Sequence, residues 1–146
     1  DRSTGATVAV SRDAGGALTE RYAGTLYASM GALAAADFHF ERGELKSAKA
    51  QLQWVIDRSS AEDFRDIARL RLAALLLDER AYDEALALVS HQPLEAYAAL
   101  YAAMRGDVLV AKDQPAAARA AYQLALEKAS GPFRDSVQMR LDALGC

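Results

Sequence analysis

Few side chains here are of types that do chemistry, and none is spaced for it. His39 and His91 stand alone, and no His or Cys lies three or four residues from His39. A metal site needs three or four convergent ligands, so neither histidine makes one. His91 falls at a helix end, where a cation complements the dipole. Cys146, the sole cysteine, is the last residue; it has no partner for a disulfide and no neighbour to lower its pKa. There is no Gly-x-Ser-x-Gly elbow and no glycine-rich phosphate loop. The many carboxylates fall at turns and on polar helix faces, where solvation is the ordinary state. Arg105-Gly106-Asp107 spells an adhesion tripeptide, but inside a helix its side chains splay around the axis. The residues predict no catalytic, cofactor-binding or metal site, and a protein that is not an enzyme.

The elements that hold these residues follow from composition. Of 146 residues, 33 are alanine and 19 leucine, against 7 valines, 2 isoleucines and 3 prolines. Ala and Leu are the strongest helix formers and β-branched residues are scarce, which argues against β-sandwiches and βαβ units. The formal charge of -3 and the lack of any basic run longer than two weigh against nucleic acid as a partner. No stretch reaches the roughly 18 uncharged apolar residues of a membrane span. If the protein is attached to a membrane, the anchor is expected to lie outside this chain.

Residues 1–20 carry Gly5, Gly15 and Gly16 without helical periodicity before Leu18, and are expected to be an irregular linker or cut edge. Residues 21–146 form the domain. Its helices are expected at roughly 18–42, 45–58, 62–79, 82–90, 94–112, 115–129 and 133–144, with Gly24 and Gly31 able to bend the first. Three segments align on small residues: Ala36 with Ala48, Ala73 with Ala85, and Gly106 with Ala118. The second members of these pairs are 37 and 33 residues apart, bracketing the tetratricopeptide period of about 34. Small residues let paired antiparallel helices approach closely, and larger ones fill the seam to the next pair. Gly43 suits a left-handed helix C-cap, and Pro115 the first turn of the helix that follows; the Asp78-Glu79-Arg80-Ala81 turn has neither. The segment from Phe133 to Leu144 reads as a C-terminal capping helix. The fold class is thus all-α, a tetratricopeptide-like solenoid of about seven helices.

In such a stack one face of each first helix lines the concave side. The register assigns it Met30, Leu33, Asp37 and Phe40, then Ile67, Leu70, Ala74 and Leu77, then Leu100, Ala103, Asp107 and Val110. Most are apolar, and a contiguous apolar patch of several hundred Å2 normally has a partner. Two occupants are open: an apolar segment of another protein, or closure in cis or by a second copy, making the chain a self-associating structural domain and possible homodimer.

Several runs then carry a family likeness. Leu26-Tyr27-Ala28-Ser29-Met30-Gly31-Ala32-Leu33-Ala34-Ala35-Ala36, Lys49-Ala50-Gln51-Leu52-Gln53-Trp54-Val55 and Ile67-Ala68-Arg69-Leu70-Arg71-Leu72-Ala73 resemble the soluble domain of YfgM-like proteins. So do Met104-Arg105-Gly106-Asp107-Val108-Leu109, Ala118-Arg119-Ala120-Ala121-Tyr122 and Val137-Gln138-Met139-Arg140-Leu141-Asp142-Ala143-Leu144. The resemblance covers roughly residues 24–144. It implies an ancillary subunit of the bacterial Sec translocon, with an N-terminal membrane helix and a periplasmic tetratricopeptide-like domain. The partners it implies are the SecYEG channel and a membrane-anchored periplasmic chaperone. It also implies location at the inner membrane and the absence of enzymatic activity. On this reading the chain is a C-terminal piece, and residues 1–20 match the family poorly.

Overall fold

A computed structural model describes residues 13–145, the side chains from Arg21 onward with residue 23 excepted. Among the described residues it contains seven α-helices and no strand. They are α1 (Asp13–Glu41), α2 (Leu45–Arg58), α3 (Glu62–Asp78), α4 (Tyr82–Val89), α5 (Ala98–Ala111), α6 (Pro115–Lys128) and α7 (Gly131–Ala143). A 3-10 turn, Glu95–Tyr97, leads into α5 where a helix from residue 94 is expected. Its entry is pinned by Asp66, whose Oδ2 accepts the Leu94 amide at 2.8 Å. Consecutive helices pack in antiparallel pairs, and the first helices α3 and α5 also meet each other. The all-α repeat architecture is as the periodicity predicts.

α1 starts five residues before Leu18 and runs unbroken through Gly24 and Gly31. A Cβ on either glycine would touch nothing within 4 Å, so both lie in open space on the helix surface. The expected boundary at residue 20 therefore falls inside a helix: Ala14, Ala17, Leu18 and Glu20 are good helix formers, and they outweigh Gly15 and Gly16. The rest of the predicted linker, residues 1–12, lies outside the described residues.

The anchors do what their size suggests. Ala36, Ala48, Ala73, Ala85 and Ala118 are buried, and so is Gly106. Gly106 is the tightest: a Cβ there would stand 2.3 Å from Cε1 of Tyr122. Leu52, Val55, Leu72, Val89, Tyr101 and Val108 fill the seams of the larger core, which runs from α1 to α5. A second core joins α5, α6 and α7 around Ala118, Tyr122, Ala125 and Val137. Phe133 and Leu141 of α7, with Leu144 just past its end, pack onto it, which makes α7 the cap; Met139 points outward.

The three intra-repeat turns are alike in backbone though not in residue. Gly43, Arg80 and Asp113 all have positive φ, at 76°, 65° and 59°. In each, the amide of the next residue returns five residues to a helix carbonyl: Glu44 to His39, Ala81 to Leu76 and Gln114 to Leu109, at 2.8, 2.8 and 2.9 Å. This is the Schellman arrangement, which satisfies the last carbonyls of the helix. Glycine suits it best, and the other two turns hold it with an arginine and an aspartate.

Candidate protein-binding groove

The face shared by the first helices α1, α3 and α5 carries the predicted groove residues, but it uses them unequally. On α1, Met30 and Phe40 are 54% and 52% exposed, and Leu33 is half-buried against the core. On α3, Ile67 and Ala74 are half-buried, while Leu70 and Leu77 pack against the larger core. On α5, Leu100 is half-buried, Val110 exposed and Ala103 fully inside the second core. Leu70, Leu77 and Ala103 are thus structural before they are docking residues. Leu70 and Leu77 give their surface to the larger core, and Ala103 gives its surface to the second.

Asp107 departs furthest from expectation. Its Oδ1 accepts the Tyr122 hydroxyl at 2.6 Å, and its Oδ2 meets the Arg140 guanidinium at 3.1 Å. Arg140 also donates to the Ser136 hydroxyl at 3.1 Å. The carboxylate therefore ties α5 to α6 and α7 instead of standing free in a groove. Burial, and then the bond to Asp107, raises the Tyr122 phenol above its ordinary pKa. The other members of the Arg105-Gly106-Asp107 tripeptide also turn inward. Arg105 donates to the Val89 carbonyl at 2.9 Å, and Gly106 backs against Tyr122.

Asp37 differs. Its carboxylate, 61% exposed, meets Arg71 of α3 at 3.2 Å. Beneath this pair, between α1 and α3, lies a cavity of about 250 Å3. Ala36, Leu52 and Leu75 form its buried floor, Phe40 and Ala74 its walls, and Asp37, Arg71 and Asp78 its rim. Of the predicted groove, this cavity brings together Asp37, Phe40 and Ala74. Met30, Ile67, Leu100 and Val110 do not line it. Arg71 and Asp78 are not among the groove residues that the register assigns. The signal that could have found Arg71 is its distance from Asp37: 34 residues, one repeat.

A wider hollow of about 690 Å3 opens on the opposite side, over the second helices α2 and α4. Its cations are largely spent. Lys49 meets Glu79 at 2.7 Å, and Arg69 meets Asp66 at 3.2 Å. Asp66, 2% exposed, is a structural hub that sequence patterning missed. It binds Arg69 and the Leu94 amide with its carboxylate and accepts the Tyr101 hydroxyl at its backbone carbonyl, at 2.6 Å. Burial, followed by the nearby Asp66 charge, raises the Tyr101 phenol.

The lone polar candidates remain unassembled. His39 Nδ1 lies 2.9 Å from Glu44 Oε1 and its ring meets Phe38 edge-on, while His91 is exposed beside the wider hollow. Trp54 lines a shallow depression with Ala28 and Gly31. Among the described residues, no three His, Cys, Asp or Glu side chains are grouped to hold a metal, and no helix is long and apolar enough to cross a membrane.

Known proteins place this geometry in context. The family profile described as "Tetratricopeptide repeat-like domain" matches residues 3–146. A protein of Neisseria gonorrhoeae named "Ancillary SecYEG translocon subunit" is 32% identical over 130 residues, covering 87% of this chain and 62% of the relative. Proteins of the same name from Escherichia coli and Haemophilus influenzae are 29% and 28% identical, covering 81% and 82% of this chain and 58% and 59% of themselves. The chain thus spans about three-fifths of the length of the relatives it matches. No solved structure matches it.

Proposed function

This chain belongs to the tetratricopeptide repeat-like domain family, and on that footing we propose that it is a non-catalytic scaffold binding other proteins through its first-helix face. The observation that carries the reading is the α1–α3 cavity. It is an apolar hollow that the chain's own core leaves open, walled by a half-exposed phenylalanine, on the face a helical solenoid presents to its partners. A partner inserts an apolar side chain there, and the polar rim orients it. Kinship with ancillary SecYEG subunits supports the channel as that partner, at the bacterial inner membrane. In the finer form of the proposal, the domain lies on the periplasmic side, is tethered by an N-terminal anchor outside this chain, and also binds a membrane-anchored periplasmic chaperone.

Capture of purified SecYEG in detergent or nanodiscs by the immobilised chain tests the scaffold. Met30→Asp with Phe40→Asp places two charges on exposed positions and is expected to weaken capture about tenfold or more while helical circular dichroism persists. Leu70→Asp with Leu77→Asp is a poorer test, because both leucines support the core. Unchanged capture by the Met30/Phe40 variant removes the groove from the proposal.

A second reading, self-association, is favoured by the apolar residues α1 turns outward: Tyr27 and Phe38, both exposed, beside Met30. Light scattering over a range of concentrations separates the two, since a chain that stays monomeric when concentrated has no self-closed groove.

A further inference from the structure

Resting on the scaffold reading above, we infer that the α1–α3 cavity selects a partner segment presenting an apolar side chain beside a cationic one. At about 250 Å3 the cavity falls below the roughly 300–1,000 Å3 that holds whole small molecules, and suits a single inserted side chain. Its floor is hydrocarbon: Ala36, Leu52 and Leu75 are almost wholly buried and offer no polar group. A polar group inserted there would lose its water without compensation, so the anchor must be apolar.

The rim decides what stands next to that anchor. Two carboxylates, Asp37 and Asp78, face one guanidinium, and Arg71 is already engaged with Asp37 at 3.2 Å. An arriving acidic residue meets a spent cation and two like charges; an arriving Lys or Arg meets surplus carboxylate. The formal charge of -3 on the whole chain adds the same sign at longer range and steers cations inward. The repeat pattern sharpens the point. Where α5 carries the equivalent acid, Asp107, the Tyr122 hydroxyl and Arg140 both close on it, so that end of the face offers no comparable acceptor.

The test uses the full chain and three short labelled peptides: one with a phenylalanine flanked by lysines, its twin with glutamates for lysines, and one with serine for the phenylalanine. Fluorescence anisotropy is expected to show the lysine peptide binding about tenfold tighter than its glutamate twin, with the preference shrinking as salt rises. Asp78→Asn is expected to weaken the lysine peptide about threefold and leave the glutamate twin no weaker. Phe40→Ser and Ala74→Leu, checked for fold by circular dichroism, are expected to abolish binding of the lysine peptide. If both charged peptides bind alike and Phe40→Ser still abolishes both, the groove survives and the charge selection is overturned. If the lysine peptide binds but ignores Phe40→Ser and Ala74→Leu, it binds elsewhere and the inference is overturned. If no peptide binds the unsubstituted chain, the inference is overturned, and SecYEG capture by the Met30/Phe40 variant then decides separately whether the groove stands.

Discussion

Two seams of this molecule carry the same pair of residues in opposite service. At the α1–α3 seam Asp37 meets Arg71, and at the α5–α7 seam Asp107 meets Arg140, each pair about one repeat apart in sequence. In the first, small residues leave a cavity under the pair, and the ion bridge stands over it in solvent. In the second, Tyr122 of α6 occupies the space that Gly106 vacates and brings its hydroxyl to the aspartate. Between them the repeat skips a beat. Ala74 stands where Asp37 and Asp107 stand in their repeats, so the middle repeat has no acid there, and the nearby Arg105 turns to the Val89 carbonyl. A ladder of charge pairs therefore becomes a brace beside α7 and a rim beside α1. The difference comes from how much side chain lies beneath each pair.

That contrast can be broken by substitution. The largest effect is expected from Gly106→Ala. The added methyl would stand 2.3 Å from the Tyr122 ring, so the ring or the α5–α6 spacing must give. A loss of about 3 kcal/mol in urea-induced unfolding is expected. An unchanged midpoint would mean that the seam is looser than described.

Next in size is the pair Asp107→Asn and Asp37→Asn. The first keeps one acceptor oxygen but removes the charge and turns the other oxygen into an NH2 that cannot accept from Arg140, and in this half-buried setting it is expected to cost about 2 kcal/mol. The second removes an exposed ion pair and is expected to cost less than about 0.5 kcal/mol. Equal losses would erase the distinction between brace and rim.

The smallest effect at neutral pH concerns the two buried phenols. Tyr101 and Tyr122 have folded pKa values raised mainly by burial, whereas the unfolded chain ionises them near the ordinary value of about 10. With the folded pKa above the unfolded one, their contribution is complete below pH ~10 and declines as pH climbs past it. Thermal unfolding followed from pH 8 to 11 is expected to show that decline, and Tyr122→Phe to reduce it. A variant that falls as steeply as the parent would show that the Tyr122 phenol does not drive it.

The alanine anchors were legible because close helix packing leaves a residue-type trace. Small residues recur, buried, at Ala36, Ala73 and Gly106, and at Gly106 even a Cβ would overlap the Tyr122 ring. The Arg80 turn was less legible. Its backbone is that of Gly43, held by the bond from the Ala81 amide to the Leu76 carbonyl, so the geometry is imposed by the helices on either side. Asp66 was invisible for a related reason. A buried carboxylate is tolerable only when its partners converge, and Leu94 and Tyr101 come from 28 and 35 residues away.

Periodicity gives the face of a helix correctly, because 3.6 residues per turn is a local property. Whether an apolar residue on that face is covered depends on what packs beside it: Leu70 and Leu77 lie against the larger core, and Phe40 is exposed.

What the chain's order of residues determined unaided was the helical class, the pairing and the repeat, since each follows from propensity and from small residues recurring at a set interval. What waited for the three-dimensional structure was which equivalent positions face water. Asp37 and Asp107 are the same residue at the same place in the repeat, and the side chains packed around each, remote in sequence, make one a rim and the other a brace.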